Sequence, residues 1–161
     1  MFKGNLFLVF GLMFFLGCAS APPEPVVVPP TLLNLQISAT PNTNPDGFGK
    51  AQPVLLRIYE LREQSNFSGA DFFSVFDKEQ ATLAADLVKK QEFLLTPGEN
   101  KSLSFETAAD TRFIGIFSAF RLLDTAQWRV IAPLVLHQNN VVKLSIDKNQ
   151  LILNQEPKTQ P

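Results

Sequence analysis

The stretch "LLNLQISA", residues 32–39, places Leu33, Leu35 and Ile37 on one side of an extended chain and Asn34, Gln36 and Ser38 on the other. A period of two marks a half-buried β-strand, because successive side chains of a strand point to opposite faces. The alternation returns downstream. In "KSLSFETA" (101–108) Leu103 and Phe105 oppose Ser102, Ser104 and Glu106. In "VVKLSID" (141–147) Val142, Leu144 and Ile146 oppose Lys143, Ser145 and Asp147. "PVLLRIYEL" (53–61) is another strand, apolar on both faces apart from Arg57 and Glu60. Leu87–Thr96, Arg112–Arg121, Trp128–His137 and Leu151–Asn154 bring the set to about eight. "TPGEN" (96–100), "HQNN" (137–140) and "DKNQ" (147–150) carry turn chemistry between runs. Pro133 inside a run indicates an edge strand or a bulge. Short strands with hairpin-length links predict an all-β fold, a two-sheet antiparallel β-sandwich whose sheets each bury one face.

One region breaks the β pattern. "NFSGADFFSVFDKEQATLAADL" (66–87) has Ser68 three residues before Asp71, a capping-box-like start. Phe72, Phe73 and Phe76 then fall at helical spacing, and Asp77 and Gln80 are placed to open a second short turn. The segment reads as a helical insert whose Phe residues plug one end of the sandwich.

Toward the N-terminus the composition changes twice. "ASAPPEPVVVPP" (19–30) holds five prolines in twelve residues, which favours extended polyproline II reaching on the order of 35–40 Å. It reads as a spacer; a Pro-rich ligand for a recognition module is the other reading. Before it, Met1 to Asn5 carry one positive charge, Leu6 to Leu16 are uncharged and apolar, and Gly17 precedes Cys18. That is the layout of a secretory signal, too short to span a bilayer. Cys18 is the single cysteine, so no intrachain disulfide or Cys-rich metal site can form. With the thiol at its end, Phe15-Leu16-Gly17-Cys18 resembles the lipobox of a bacterial lipoprotein signal, with Phe15 where Leu is usual. The alternative is an ordinary signal cut elsewhere and an idle thiol. The resemblance implies diacylation of the Cys18 thiol, cleavage before it, and acylation of the new amine. At about 0.8 kcal/mol per buried methylene, three chains would make attachment permanent. Ala19 follows Cys18, where an aspartate commonly signals inner-membrane retention, so the resemblance favours the outer membrane with the domain facing the periplasm. The chain thus divides into a signal peptide (1–17), a lipidated Cys and Pro-rich tether (18–31), a β-sandwich domain (32–154) and a C-terminal tail (155–161).

Charge names no partner. Without residues 1–17 the chain has 13 basic and 15 acidic residues, once Lys3 is subtracted from the total, which is not the basic footprint of a nucleic-acid binder. Catalytic combinations are also missing. His137 is the single histidine, at a strand end beside a turn. Glu60, Asp71, Asp77, Asp86 and Asp124 are scattered carboxylates, with Arg57, Arg121 and Arg129 as possible ion-pair partners. No nucleophile elbow, phosphate-binding Gly loop or EF-hand loop occurs. The expectation is a non-enzyme with no metal and no cofactor beyond the covalent lipid on Cys18.

The informative irregular stretch is "TPNTNPDGFGKAQP" (40–53), between the first two strands. A hairpin joining adjacent strands needs roughly 2–5 residues, so this loop exceeds that connection, and long ordered loops often carry function. Phe48 lies between two glycines. It is either an apolar anchor for a partner on a mobile tip or a side chain folded back onto the sandwich.

Taken in order, these segments resemble the TssJ outer-membrane lipoproteins of type VI secretion systems. "NTNPDGFGKAQPVLLRIYEL" is similar to the family's Asn/Pro/Gly loop followed by an Arg-Ile-Tyr-x-Leu strand end, here Arg57-Ile58-Tyr59-Glu60-Leu61. "FSGADFFSVFDKEQATLAADL" is similar to its short helical insert, and "FIGIFSAFR" with Trp128-Arg129 to its later strands. The likeness runs from about residue 33 to 153. Ala84 departs from it where relatives often carry Gly, and "LLDTAQW" is a slightly longer connection. The resemblance implies a transthyretin-like β-sandwich, no catalysis, and binding to the periplasmic C-terminal region of TssM, an inner-membrane protein. It also implies that the loop between the first two strands makes the contact, through Asn42, Thr43, Asn44, Pro45, Asp46, Gly47, Phe48, Gly49 and Lys50. The rival expectation is a generic lipidated sandwich holding a small ligand or glycan, with Trp128 or Tyr59 as stacking platform.

Overall fold

The computed structural model describes residues 28–154. The expected signal segment, Cys18, most of the expected tether and residues 155–161 lie outside the described residues. Eight strands and two helices follow in order: β1 (Leu32–Ala39), β2 (Val54–Leu61), α1 (Ser65–Gly69), α2 (Phe72–Leu83), β3 (Leu87–Leu95), β4 (Asn100–Glu106), β5 (Phe113–Ala119), β6 (Arg129–Pro133), β7 (Asn139–Asp147) and β8 (Gln150–Asn154). They form two four-stranded sheets ordered β4-β1-β7-β8 and β3-β2-β5-β6. The expected two-sheet sandwich is present, and Pro133 terminates an edge strand, where its missing N–H costs no ladder bond.

Pairing is antiparallel except between β1 and β7, which run parallel in register from Leu32↔Asn139 to Ala39↔Ile146. Alternation within a strand reports which face is buried and carries no information on a neighbour's direction. Between the sheets, Leu33, Leu35 and Ile37 of β1 meet Leu56 and Ile58 of β2, Ile114 and Ile116 of β5, and Val142, Leu144 and Ile146 of β7.

The two sheets differ in what covers their outer faces. The β1 sheet shows outward residues such as Asn34, Gln36, Ser102 and Ser104, as a half-buried sheet should. The central strands of the other sheet, β2 and β5, are largely buried on both faces, which explains why residues 53–61 read as apolar on both sides. Tyr59, Leu61 and Phe117 join Phe67 of α1 and Val75 and Leu83 of α2 in a second core. The helical insert therefore lies over the outer face of the β2 sheet, and the expectation that it plugs one end is corrected. Phe72 and Phe76, one helical turn apart, both stack with Phe117. Phe73, about 100° further round the helix, is 61% exposed. Gly115 permits this packing: a Cβ there would come within 2.9 Å of both Leu61 Cδ1 and Phe67 Cε1.

The start of the long helix also differs from expectation. Asp71, not Ser68, is its N-cap, accepting the Ser74 N–H at 2.9 Å. Hydrogen bonds from the Ser74 side chain and backbone hold the Asp71 carboxyl below its usual range. Ser68 sits within α1 and donates to Ser65 O instead. The second turn anticipated at Asp77 appears as a kink at Lys78 (φ −130°, ψ 33°) inside α2. Carbonyls around the kink find other donors: Thr82 Oγ1 donates to Ser74 O at 2.8 Å, and Arg57 donates to Phe76 O at 3.0 Å.

Two arginines of the β2 sheet fasten the insert. Arg57 lies under α2, paired with Glu79 at 3.3 Å and Glu92 at 2.6 Å, and 5.2 Å from the Phe76 ring centroid. Arg129 donates to the carbonyls of Phe67 and Ala70 at the end of α1 and lies over Trp128. Tyr59 donates to Glu79 Oε2 at 2.9 Å, and burial raises its pKa far above the usual phenol value, so it stays a neutral donor. Burial opposes ionisation of Glu79, but hydrogen bonds from Lys90 and Tyr59 outweigh it and hold the pKa low.

Candidate functional site

Strand β1 runs from the pole where residues 28–31 lead into the domain to the loop end, so the long loop emerges at the pole opposite the start of β1. Eight residues at about 3.3 Å each separate the poles by about 25 Å. At the entry pole, Thr31 Oγ1 accepts the His137 N–H at 2.8 Å and the His137 ring bonds Pro29 O. Buried Glu60 accepts from Ala108 N at 2.9 Å and Thr111 Oγ1 at 3.0 Å, pinning the turn after β4. Both are structural attachments of the first residues and loops of the domain.

At the far pole the loop joins β1 in one sheet to β2 in the other. Its length is thus partly a crossing of the sandwich, and comparison with a hairpin between adjacent strands understated what the connection requires. The crossing is ordered by its own polar groups. Thr43 is fully buried; its hydroxyl donates to Ile146 O and its backbone bonds Thr40 and Gln52. Asn44 is 2% exposed with φ 52°, a left-handed conformation that Asn tolerates better than other residues bearing a Cβ. Its side chain donates to Pro53 O at 2.7 Å and accepts from Arg121 N at 2.8 Å, while its own N–H bonds Lys148 O at 2.7 Å.

Asp46 organises the tip. Its Oδ1 accepts from Phe48 N and Lys50 N, both at 3.0 Å, and its Oδ2 from Gln52 Nε2 at 3.1 Å. Gly49, at φ 80°, closes the turn back onto Asp46 O at 2.9 Å. The Lys50 N–H bond contributes most to holding the Asp46 carboxyl below its usual range; slight burial opposes it, and the Phe48 N–H and Gln52 reinforce it. Phe48 stands at the apex, 99% exposed.

Of the nine loop positions read as contacts, Gly47, Phe48, Gly49 and Lys50 face solvent, with Asn42 exposed nearer the base and Pro45 and Asp46 half-buried. Thr43 and Asn44 face inward, so they position the loop and present no surface. Between the two readings of Phe48, folding back onto the sandwich is excluded. Beyond the nine named positions, Gln52 at the end of the loop and Arg121, Lys148 and Asn149 outside it order or flank the tip. They come from three separate connections, so no local pattern announces them.

The other candidate groups settle into structural places. Tyr59 is fully buried and offers no stacking platform. Trp128 is packed against Phe72 and Phe117, with Arg129 over its ring. Asp71 caps a helix, and Arg57 alone of the three named arginines forms an ion pair among the described residues. No three of His, Cys, Asp or Glu gather in metal-binding range among the described residues. No described helix is long and apolar enough to cross a membrane.

Comparisons with known proteins agree with this geometry. Residues 31–149 match the family described as type VI secretion lipoprotein (T6SS-SciN; VasD, EvfM, TssJ). Among solved structures, the chain is similar to the type VI lipoprotein TssJ1 from Pseudomonas aeruginosa, at 35% identity and TM-score 0.77, covering 81% of this chain and 99% of that one. It is similar also to Serratia marcescens Lip, a membrane-bound component of the type VI secretion system, at 25% identity and TM-score 0.73, covering 80% and 99%. A chain of a structure described as "Type VI membrane complex" shares the fold, at 23% identity and TM-score 0.65 over 79% and 98%. No curated protein sequence matches. With the match spanning most of the sandwich, this chain belongs to the type VI secretion lipoprotein family.

Proposed function

We propose that the protein is a non-catalytic outer-membrane lipoprotein of the type VI membrane complex, anchored through lipid on Cys18, with its domain in the periplasm. Its loop at 42–52 binds the periplasmic C-terminal region of TssM and so ties the complex to the outer membrane. The observation that carries this reading is Phe48, almost fully exposed at the apex of a loop whose backbone is ordered from within. A loop whose backbone is already ordered in water loses little further backbone entropy when its apolar ring docks. Its position at the pole opposite the tether suits a link under tension between two membranes.

The test is capture of the TssM periplasmic C-terminal region by the processed chain, with and without residues 45–50 replaced by a Gly-Ser turn. Loss of capture, with an unchanged circular dichroism spectrum, is the expected result. Undiminished capture by the replaced loop would remove the loop from the interface. Cys18→Ser, examined by membrane fractionation, should leave the chain uncleaved or detached; stable outer-membrane retention would overturn the anchor.

A further inference from the structure

Of the eight buried polar or charged residues among those described, five bind the two ends of β1. At its start, Thr31 Oγ1 accepts the His137 N–H, and Thr31 O accepts the Thr107 N–H at 3.0 Å and hydroxyl at 3.3 Å. The Leu32 N–H donates to Gln138 O at 3.0 Å, and Asn140 Nδ2 donates to Leu32 O at 3.3 Å. His137 keeps its place here at φ 60°, a left-handed backbone unfavourable for a residue with a Cβ. Glu60, bonded to Ala108 N and Thr111 Oγ1, steadies the turn that carries Thr107.

The other end is gripped in the same way. The Thr40 N–H and the Thr43 hydroxyl both donate to Ile146 O, at 2.9 and 3.1 Å, and the Asn44 N–H donates to Lys148 O at 2.7 Å. Asn149 ties that turn on to Leu122 O at 3.2 Å and Thr125 Oγ1 at 2.8 Å. Buried polar groups are retained where hydrogen bonds compensate them, and here they gather where β1 begins and ends.

Between these clamps β1 is an interior strand. It pairs in parallel with β7 over eight positions and antiparallel with β4 over seven. Ladder bonds run across the strands, so a pull along the axis of β1 loads them together, in shear. Strand β8 is the contrast: an edge strand with five pairs to β7, which a pull on Asn154 opens one at a time from the end.

We propose that β1 is the load-bearing strand of the molecule, gripped at both ends so that tension entering at residues 28–31 leaves through the loop without opening the sandwich. The chain path from residue 28 to the loop tip passes through no other strand. The inference rests on the reading that the loop holds the partner, and adds the route by which force crosses the domain.

The experiment stretches the full processed lipoprotein, in detergent, by single-molecule force spectroscopy. Click-reactive side chains serve as handles at positions 28 and 48 in one sample and 28 and 154 in another, all of them exposed. At one loading rate the 28–48 pull should rupture at roughly twice the force of the 28–154 pull or more, because forced unfolding is governed by the unfolding barrier along the pulled direction. Thr31→Val and Thr43→Val each remove one clamp hydroxyl. Both should lower the 28–48 force and leave the first 28–154 rupture as in wild type, whereas loss of general stability would lower both. Equal rupture forces in the two directions would overturn the load path, and the loop reading would stand if capture of the TssM region still required the loop. Equal losses in both directions in the two variants would overturn the clamps. Capture that survives replacement of residues 45–50 would overturn both readings, since load would then enter the domain elsewhere.

Discussion

Phe67 and Phe48 are the same residue with opposite fates. Phe67 is fully buried beneath the insert, edge-on to Tyr59 at 5.6 Å and pressed over Gly115. Phe48 is almost wholly in solvent. The insert is held by apolar burial, with Arg57 and Arg129 satisfying the carbonyls that its short helices leave open. The loop has no core of its own. It is held by Asn44, Thr43 and Asp46, so order there does not consume its large apolar side chain. A polar scaffold leaves an aromatic available to a partner; an apolar scaffold absorbs it.

The contrast breaks most readily at the phenylalanines. Phe67→Ala should destabilise the domain by about 3–5 kcal/mol in urea unfolding, the usual cost of emptying a packed aromatic site. Phe48→Ala should stay within about 0.5 kcal/mol of wild type, as surface changes do. Equal costs would mean that the loop depends on its ring after all. Asn44→Ala comes next, at about 1–3 kcal/mol, because it strips partners from Pro53 O and Arg121 N and forces Ala to a left-handed backbone. It should also weaken partner binding although Asn44 is buried, which a calorimetric titration would show.

Smaller effects sharpen the comparison. Both regions contain a left-handed residue, Asn44 in the loop and Ala84 at the exit of the insert (φ 46°). Asn suits that conformation and Ala does not. Ala84→Gly should stabilise by about 1 kcal/mol, strain relief exceeding the added chain entropy. The conformation also explains the glycine that resemblance led one to expect at this position. Finally, Asp46 links loop order to pH. Its folded pKa lies below the 3.8 of a free side chain. The contribution of its carboxylate is therefore complete above that value and lost as pH falls through the folded pKa. A carboxyl NMR titration should give an Asp46 midpoint below 3.8, and Gln52→Ala should raise it. A normal midpoint would mean that the tip is not organised by this carboxylate in solution.

Much of the fold was legible, and the limits have physical causes. Alternation in residues 32–39, 101–108 and 141–147 reports burial directly, because the strand repeat is two. The double burial of β2 was visible as well, but not what covered its second face. The parallel β1–β7 pair was hidden, since side-chain alternation is indifferent to strand direction. Ser68 was a plausible cap by spacing; the earlier helix α1 had already claimed it. The loop announced itself by composition, whereas its welding to residues 121–125 and 147–150 depends on contacts about 77 and 104 residues apart in the chain.

By itself, then, the sequence determined a period-two sandwich, a proline-rich approach to it, and a loop rich in Asn, Pro and Gly with one aromatic at its centre. Those are local properties, set by side-chain repeat and backbone preference. Tertiary structure decided that the insert roofs a sheet, that the loop leaves the pole opposite the start of β1, and that Phe48 faces water. Each of these depends on which distant groups complete the hydrogen bonds and fill the space. At the loop pole the deciding residue is Asn44, whose buried side chain and backbone N–H together join three separate connections.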